Sequence, residues 1–348
     1  MSSGDSMWSD DVTDFRDAGL AGAASGGTGA GAGAREESAI EAYGIGKKYR
    51  RGWALKDCSF RLPAGRICGL VGPNGAGKTT LMGIAADLLE PTAGTLRVFG
   101  SAPGSDEANR RTAFLAQEKP LFRRFTVAET LRLGRELNPG WDQQAAENIV
   151  RAGNVPFDAK IGTLSGGQRT RVAFALSFGK RPDLLLLDEP MSDLDPLVRH
   201  ELMGTLMAEA AEHGTSVLMS THMLGELENV CDYLMVIADG GLRLAGEVDE
   251  LLAAHTLLTG ARTDGETAGV PASLTRHTVV EARTSGRQVT AMVRPAGPVE
   301  GVWQAETPNL EELLLAYLRS PQAPPLLTAS SQVSDRTGDR TGAKAVAA

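Results

Sequence analysis

Between Ser38 and His255 the chain alternates short apolar runs with longer stretches whose apolar residues recur every three or four positions. Ile40–Ile45 and Ala54–Leu62 alternate with the period of half-buried strands, joined through a basic turn that contains Tyr49 and Trp53. Ile67–Val71 is a short apolar run, and further strands are expected over Thr95–Phe99, up to a point near Gln117, and over Leu184–Leu187, Ser216–Ser220 and Tyr233–Ala238. Helical spacing covers Val127–Leu137, with Thr126 as N-cap, and a stretch from Asp142 to about Ala152. It recurs over Ser165–Phe178 and from Asp195-Pro196 to His213, closed by Gly214, and again from Met223 to about Val230. Strands alternating with helices of this length predict an α/β fold, a mostly parallel sheet with crossover helices.

The texture changes at both ends. Residues 1–36 are acidic and then Gly/Ala/Ser-rich, too poor in large apolar side chains to offset their ordering entropy, so a disordered tail is expected there. The main domain is expected over 37–257, with a helical subdomain at about 118–180. A small α+β appendage is expected over 258–319: strands Thr278–Ala282 and Gln288–Arg294 around Ser285-Gly286, then a helix Asn309–Leu318 capped by Thr307-Pro308. Residues 320–348, rich in Pro, Ala, Thr and Ser, read as a second disordered tail.

The formal charge of −8, without a long Lys/Arg run, argues against a nucleic-acid-binding surface and predicts no nucleic-acid partner. Cys58, Cys68 and Cys231 have neither metal-ligand nor disulfide spacing, which points to buried thiols in a reducing compartment. No run reaches the roughly eighteen apolar residues of a membrane span, and the N-terminus lacks a signal peptide's pattern. A cytoplasmic location is expected, with any membrane role borrowed from a partner.

The candidate chemistry starts after Ile67–Val71. Gly72-Pro73-Asn74-Gly75-Ala76-Gly77-Lys78-Thr79-Thr80 fits G-x-x-x-x-G-K-[ST] between a strand and a helix. The glycines let backbone N–H groups converge on one concavity, and the helix adds its positive end, so the stretch predicts a nucleoside triphosphate. Lys78 would reach the β- and γ-phosphates and Thr79 would hold Mg²⁺. Leu184–Leu187 ends in Asp188 and Glu189, which would face the metal and the attacking water. Leu164-Ser165-Gly166-Gly167-Gln168 taken alone is a Ser-capped helix start.

In this order, GPNGAGKTT, LSGGQ and LLLLDEP resemble the ATP-binding cassette of ABC transporters over roughly residues 38–255. The resemblance implies a P-loop NTPase cassette with a RecA-like parallel core and antiparallel β and α-helical subdomains. It also implies two cassettes packed head to tail, as homodimer or heterodimer, with Ser165 and Gly167 on the γ-phosphate of the opposite chain's ATP. Tyr49 stands where the family has its adenine-stacking aromatic, and Trp53 competes for that role. Gln117 matches the glutamine that touches Mg²⁺ and water, His222 the histidine that grips the γ-phosphate, and Asp195 the acid of the loop at the dimer interface. Asp193 and Met191 depart from the usual small residue and Thr. Two acids near a γ-phosphate suit a symmetric homodimer only if Asp193 turns to solvent or meets a base. The function implied is ATP hydrolysis driving transport, export by resemblance, through a transmembrane permease on a separate chain at the inner face of the membrane. A helical insert around Phe114–Phe125 would dock that permease, though Leu121, Phe122 and Phe125 could equally be core. A soluble ABC ATPase switching on ribosomes or DNA, or a binding-only cassette, are the competing readings.

Overall fold

The computed structural model describes residues 37–192, 194–221, 225, 227–228, 230–261 and 271–333. Residues 1–36 and 334–348, Asp193, His222 and half of the helix expected from Met223 to about Val230 lie outside the described residues. β1 (Ser38–Tyr49) and β2 (Gly52–Pro63) form an antiparallel hairpin longer than expected, because pairing continues out to Tyr49 opposite Gly52. The turn is therefore only Arg50-Arg51, and Tyr49 and Trp53 stand on the strands. β3 (Ile67–Val71) leads into α1 (Lys78–Ala85), and β4 (Ala93–Val98) returns to pair with β1. α2 (Asp106–Arg111), β5 (Thr112–Leu115), α3 (Val127–Leu137), α4 (Gln143–Ala152) and α5 (Gly166–Gly179) follow. Thr126 caps α3 in a reciprocal capping box with Glu129, and Asp142 caps α4.

β6 (Leu184–Asp188), α6 (Pro196–His213), β7 (Ser216–Ser220) and β8 (Tyr233–Ala238) continue the alternation, with Gly214 in the left-handed region (φ 64°) ending α6 as expected. β9 (Gly241–Glu247), α7 (Val248–Ala253) and β10 (Thr256–Ala261) have no counterpart in the pattern reading. β11 (Thr278–Ser285) and β12 (Gln288–Arg294) match the expected pair, and β13 (Trp303–Glu306) joins them in the sheet β11-β12-β10-β13. α8 (Leu310–Arg319) is capped by Asn309, whose side chain and that of Glu312 bond each other's backbone, and not by Thr307-Pro308. β14 (Leu326–Leu327) completes the main sheet.

That sheet runs β14-β9-β8-β3-β7-β6-β5, parallel from β8 through β3, β7 and β6 to β5, with β9 antiparallel to β8. Its central strands are buried on both faces, and successive residues point to opposite sides. Leu184 and Leu186 enter the core beneath the β1–β2–β4 sheet and α1, while Leu185 and Leu187 enter a second core with Val127, Leu131, Val172 and Phe174 of the helical region. The four-leucine run thus joins two layers through one strand. A third core joins Leu234, Val236 and Leu244 of this sheet to Val280, Met292, Leu313 and Tyr317. The C-terminal region is accordingly packed onto the main sheet across the expected boundary near residue 257.

The reading of everything after Ser320 as a disordered tail needs correction for residues 320–333. Leu326 and Leu327 pair with Leu244 and Ala245 of β9, and the fully buried Ser331 donates to the Ala245 carbonyl at 2.9 Å. The open edge of β9 supplies backbone partners that a composition-based reading of the segment does not register.

His255 ties α7 to α8. Its Nδ1 lies 2.6 Å from the Leu251 carbonyl, which only an N–H can satisfy, so Nε2 accepts from the Tyr317 hydroxyl at 3.0 Å. Burial lowers the pKa of this imidazole, the Leu251 bond opposes that, and Arg294 adds to it. Below the ordinary value of about 6.5 the unfolded chain takes up a proton that the folded chain resists. Stability is therefore expected to fall as pH drops from about 6.5 toward the depressed folded value. Thermal melts across that window should show it, and His255→Gln should flatten the slope.

Candidate functional site

The phosphate loop is shaped by close approach. A Cβ on Gly72 would run into the Ile237 carbonyl, and one on Gly77 into the Ala54 carbonyl, where φ is also 111°. Ala76 N donates to the Pro73 carbonyl at 3.0 Å, closing the turn, and Leu81 N bonds Gly77 O at 2.8 Å to start α1. Pro73, Asn74, Gly75 and Thr79 are exposed, Thr80 half-buried, and Ala76 and Gly77 buried. Lys78 is 5% exposed; its Nζ donates to the Gly72 carbonyl at 2.7 Å and the Pro73 carbonyl at 3.4 Å. The ammonium folds back on its own loop. Burial pulls its pKa down, and the carboxylates of Glu189 and Asp188 oppose the shift.

Those carboxylates arrive through strand register. Leu70 of β3 pairs with Ser220 of β7, and Ser220 with Asp188 of β6, so three parallel strands end at one edge. Asp188 is 2% exposed and accepts from the Ser220 hydroxyl at 2.7 Å, while Ser220 Oγ accepts from Glu189 N at 2.9 Å. One hydroxyl holds both acids. Glu189 sits at φ 43°, a left-handed backbone uncommon for a residue with a side chain, and this turns it out of the strand line. Gln117 Nε2 donates to Glu189 Oε2 at 3.3 Å. The sequence reading did not single out Ser220; the signal was a hydroxyl ending the strand beside the acidic one.

The remaining candidates are spread more widely. Ser165 caps α5 and Gln168 answers it in a capping box at 3.2 and 3.1 Å, leaving Ser165 and Gly166 exposed. A Cβ on Gly167 would meet Val198 of α6, so this segment lies beside α6, and among the described residues no hydrogen bond joins it to the phosphate loop. Asp195 caps α6 through Leu197 N and Val198 N, both at 3.1 Å, and Met191 is buried in the second core. Tyr49 is 44% exposed at the hairpin tip. Trp53, and not Tyr49, lines a groove of about 920 Å³ with Asn74, Gly75, Asp239, Arg243 and Gln322. His222 and Asp193 lie outside the described residues. The stretch Phe114–Phe125 is the end of β5 and an irregular loop, not a helical insert. Leu121 packs into the second core, whereas Phe122 and Phe125 are 61% and 37% exposed with rings 5.1 Å apart.

The donors at this edge suit Mg²⁺. The Thr79 hydroxyl, the Asp188 carboxylate and the Gln117 amide oxygen are all hard oxygens, and no group of three or more His, Cys, Asp and Glu forms a cage among the described residues. Magnesium is commonly held by one or two carboxylates plus substrate phosphates, and the set fits that habit.

The model of the ABC transporter family matches residues 55–192, and a model described as an AAA domain, putative AbiEii toxin of a type IV TA system, matches residues 160–228. The thiamine import ATP-binding protein of Vibrio parahaemolyticus is 37% identical over 201 residues, 55% of this chain and 84% of that protein. The Nod factor export ATP-binding protein I of Burkholderia lata is 36% identical over 211 residues, 58% of this chain and 68% of that protein. A solved ATP-binding subunit of an ABC transporter superposes with a TM-score of 0.57 at 26% identity, over 62% of this chain and 92% of that one.

Ser220→Ala removes the hydroxyl that donates to the buried Asp188 carboxylate and accepts from Glu189 N. It should lower the unfolding free energy by about 1–3 kcal/mol in urea titrations.

Proposed function

Since the chain belongs to the family of ABC transporter ATP-binding proteins and is an ATPase subunit of that kind, we propose that it works as one of a pair of cassettes driving export through a transmembrane permease on a separate chain, at the cytoplasmic face of the membrane. The observation that carries this reading is the chain of bonds Asp188–Ser220–Glu189–Gln117 at the mouth of the phosphate loop.

In the proposed cycle ATP lies on the loop from Gly72 to Thr80, and Lys78 leaves its two loop carbonyls for the β- and γ-phosphates. Tyr49 or Trp53 stacks the adenine. Thr79, Asp188 and Gln117 would hold Mg²⁺, which when bound neutralises phosphate charge. Glu189, bonded to Gln117, orients the water and accepts its proton for in-line attack. His222 grips the γ-phosphate. Ser165, Gly166, Gly167 and Gln168, which make no hydrogen bond to their own chain's loop among the described residues, serve the nucleotide of a second copy, offering the exposed α5 N-terminus to the γ-phosphate. Asp195 stiffens the start of α6 at that interface.

Phe122 and Phe125, exposed a few residues beyond Gln117, form the permease contact, so nucleotide state at Glu189 reaches it through one loop. No helix among the described residues is long and apolar enough to cross a membrane, which fits a permease on another chain. The relative named for Nod factor export favours the outward direction, and the relative named for thiamine import favours the opposite one. Transport into or out of inverted vesicles decides between them.

Glu189→Gln should retain ATP binding and slow phosphate release by about 10²–10⁴. Unchanged turnover would take Glu189 out of the role. Phe122→Asp with Phe125→Asp should abolish co-purification with a multi-span membrane protein while basal hydrolysis persists; pelleting with ribosomes or DNA would favour a soluble switch instead.

A further inference from the structure

Gln322, Pro325 and Leu327 of the C-terminal segment line the same groove of about 920 Å³ as Asn74 and Gly75 of the phosphate loop and Asp239. The segment is fixed at several points. Ala323 is buried in the third core, Leu327 packs against the first, and the Pro325 carbonyl accepts from Arg294 Nη1 at 3.0 Å. β14 then pairs with β9. Gln322 is exposed beside these anchors, and its Nε2 donates to Asp239 Oδ2 at 3.2 Å.

Asp239 belongs to the turn that backs the phosphate loop. β8 and β9 close at Ala238 opposite Gly241, so Asp239-Gly240 is a two-residue hairpin turn with both φ positive, 51° and 73°. The Ile237 carbonyl just before it stands where a Cβ on Gly72 would go. A Cβ on Gly240 would meet the Ala54 carbonyl, which a Cβ on Gly77 would meet as well. The Gly240 carbonyl accepts from Lys56 N at 2.7 Å. One side-chain bond from the C-terminal segment therefore reaches a turn that is packed against the backbone around both Gly72 and Gly77.

We propose that Gln322 is a positioning residue for the nucleotide: by holding Asp239 it keeps this turn, and the phosphate loop packed on it, in the shape that receives ATP. The proposal rests on the reading that ATP lies on the loop from Gly72 to Thr80. A loop held in its bound shape beforehand loses less freedom on binding, so the bond acts on affinity. Ser220, Glu189 and Gln117 belong to β7 or follow β6 and β5, all across β3 from β8 and β9. The bond does not touch them, so the chemical step keeps its rate.

The test measures KM and kcat for MgATP with the full chain, and Kd for a non-hydrolysable ATP analogue by calorimetry. Gln322→Glu sets a second carboxylate against that of Asp239. It should raise Kd and KM about fivefold, the scale of one net hydrogen bond, with kcat and the melting temperature unchanged. Adding Asp239→Asn supplies an amide donor to that carboxylate and keeps a residue suited to the turn, so the double variant should regain the affinity. An unchanged Kd in Gln322→Glu, a double variant no tighter than the single one, or a kcat lowered as much as the affinity would each overturn the proposal and leave the nucleotide reading standing. If the unaltered chain bound no ATP analogue, that reading would fall and this one with it.

Discussion

Three parallel strands in register, β3, β7 and β6, bring the phosphate loop, Ser220 and Asp188 to one edge of one sheet, and the rest of the site is arranged from that edge. Neighbouring strands lie about 4.8 Å apart, so two steps across the sheet separate the loop from the acids. That spacing leaves room for a triphosphate tail and a metal between them. It also requires β7 to be covered on both faces, which its fully buried SVLMS run provides. A slip of one residue in any of the three would turn the terminal side chains to the opposite face.

Around that edge the chain keeps charged groups where they are costly and holds them with few partners. Lys78 is buried on its own loop carbonyls, and Asp188 is buried on a hydroxyl. Glu189 is kept in an unfavourable backbone conformation by the Ser220 acceptor on its N–H. Each arrangement leaves a group ready to exchange an internal partner for a phosphate, a metal or a water. The Ser165–Gln168 segment is capped within itself, with Ser165 and Gly166 exposed. In the proposed function a second copy completes the site, and turnover would then depend on pairing.

The C-terminal region is joined to the same sheet through its other half. Tyr317 and Leu313 of α8 pack onto Leu234 and Val236 of β8, whose neighbour β3 ends in the phosphate loop, and β14 closes the edge beyond β9. Val71, the last residue before that loop, belongs to this third core. The appendage therefore packs in one core with the last residue of the strand that carries the phosphate loop.

Local chemistry made much of this legible from the residues. The GPNGAGKTT loop, the LLLLDE strand, the Thr126 and Asp142 caps and the Gly214 stop each depend on neighbours a few positions away, and short-range rules suffice for them. The Met191 departure was likewise visible, though only its burial in the second core gives it a packing reason. What only the tertiary structure decided depends on distant backbone. The bond from Ser220 to Asp188 crosses 32 residues. β14 exists because β9 offers an unpaired edge, and the hairpin reaches Tyr49 because the facing strand does. The loop holding Phe122 and Phe125 gives no periodic signal, and only the fold buries Leu121 while leaving the two rings outside. Side-chain pattern reports what a segment prefers, whereas strand register and edge pairing are set by partners that the local sequence does not contain.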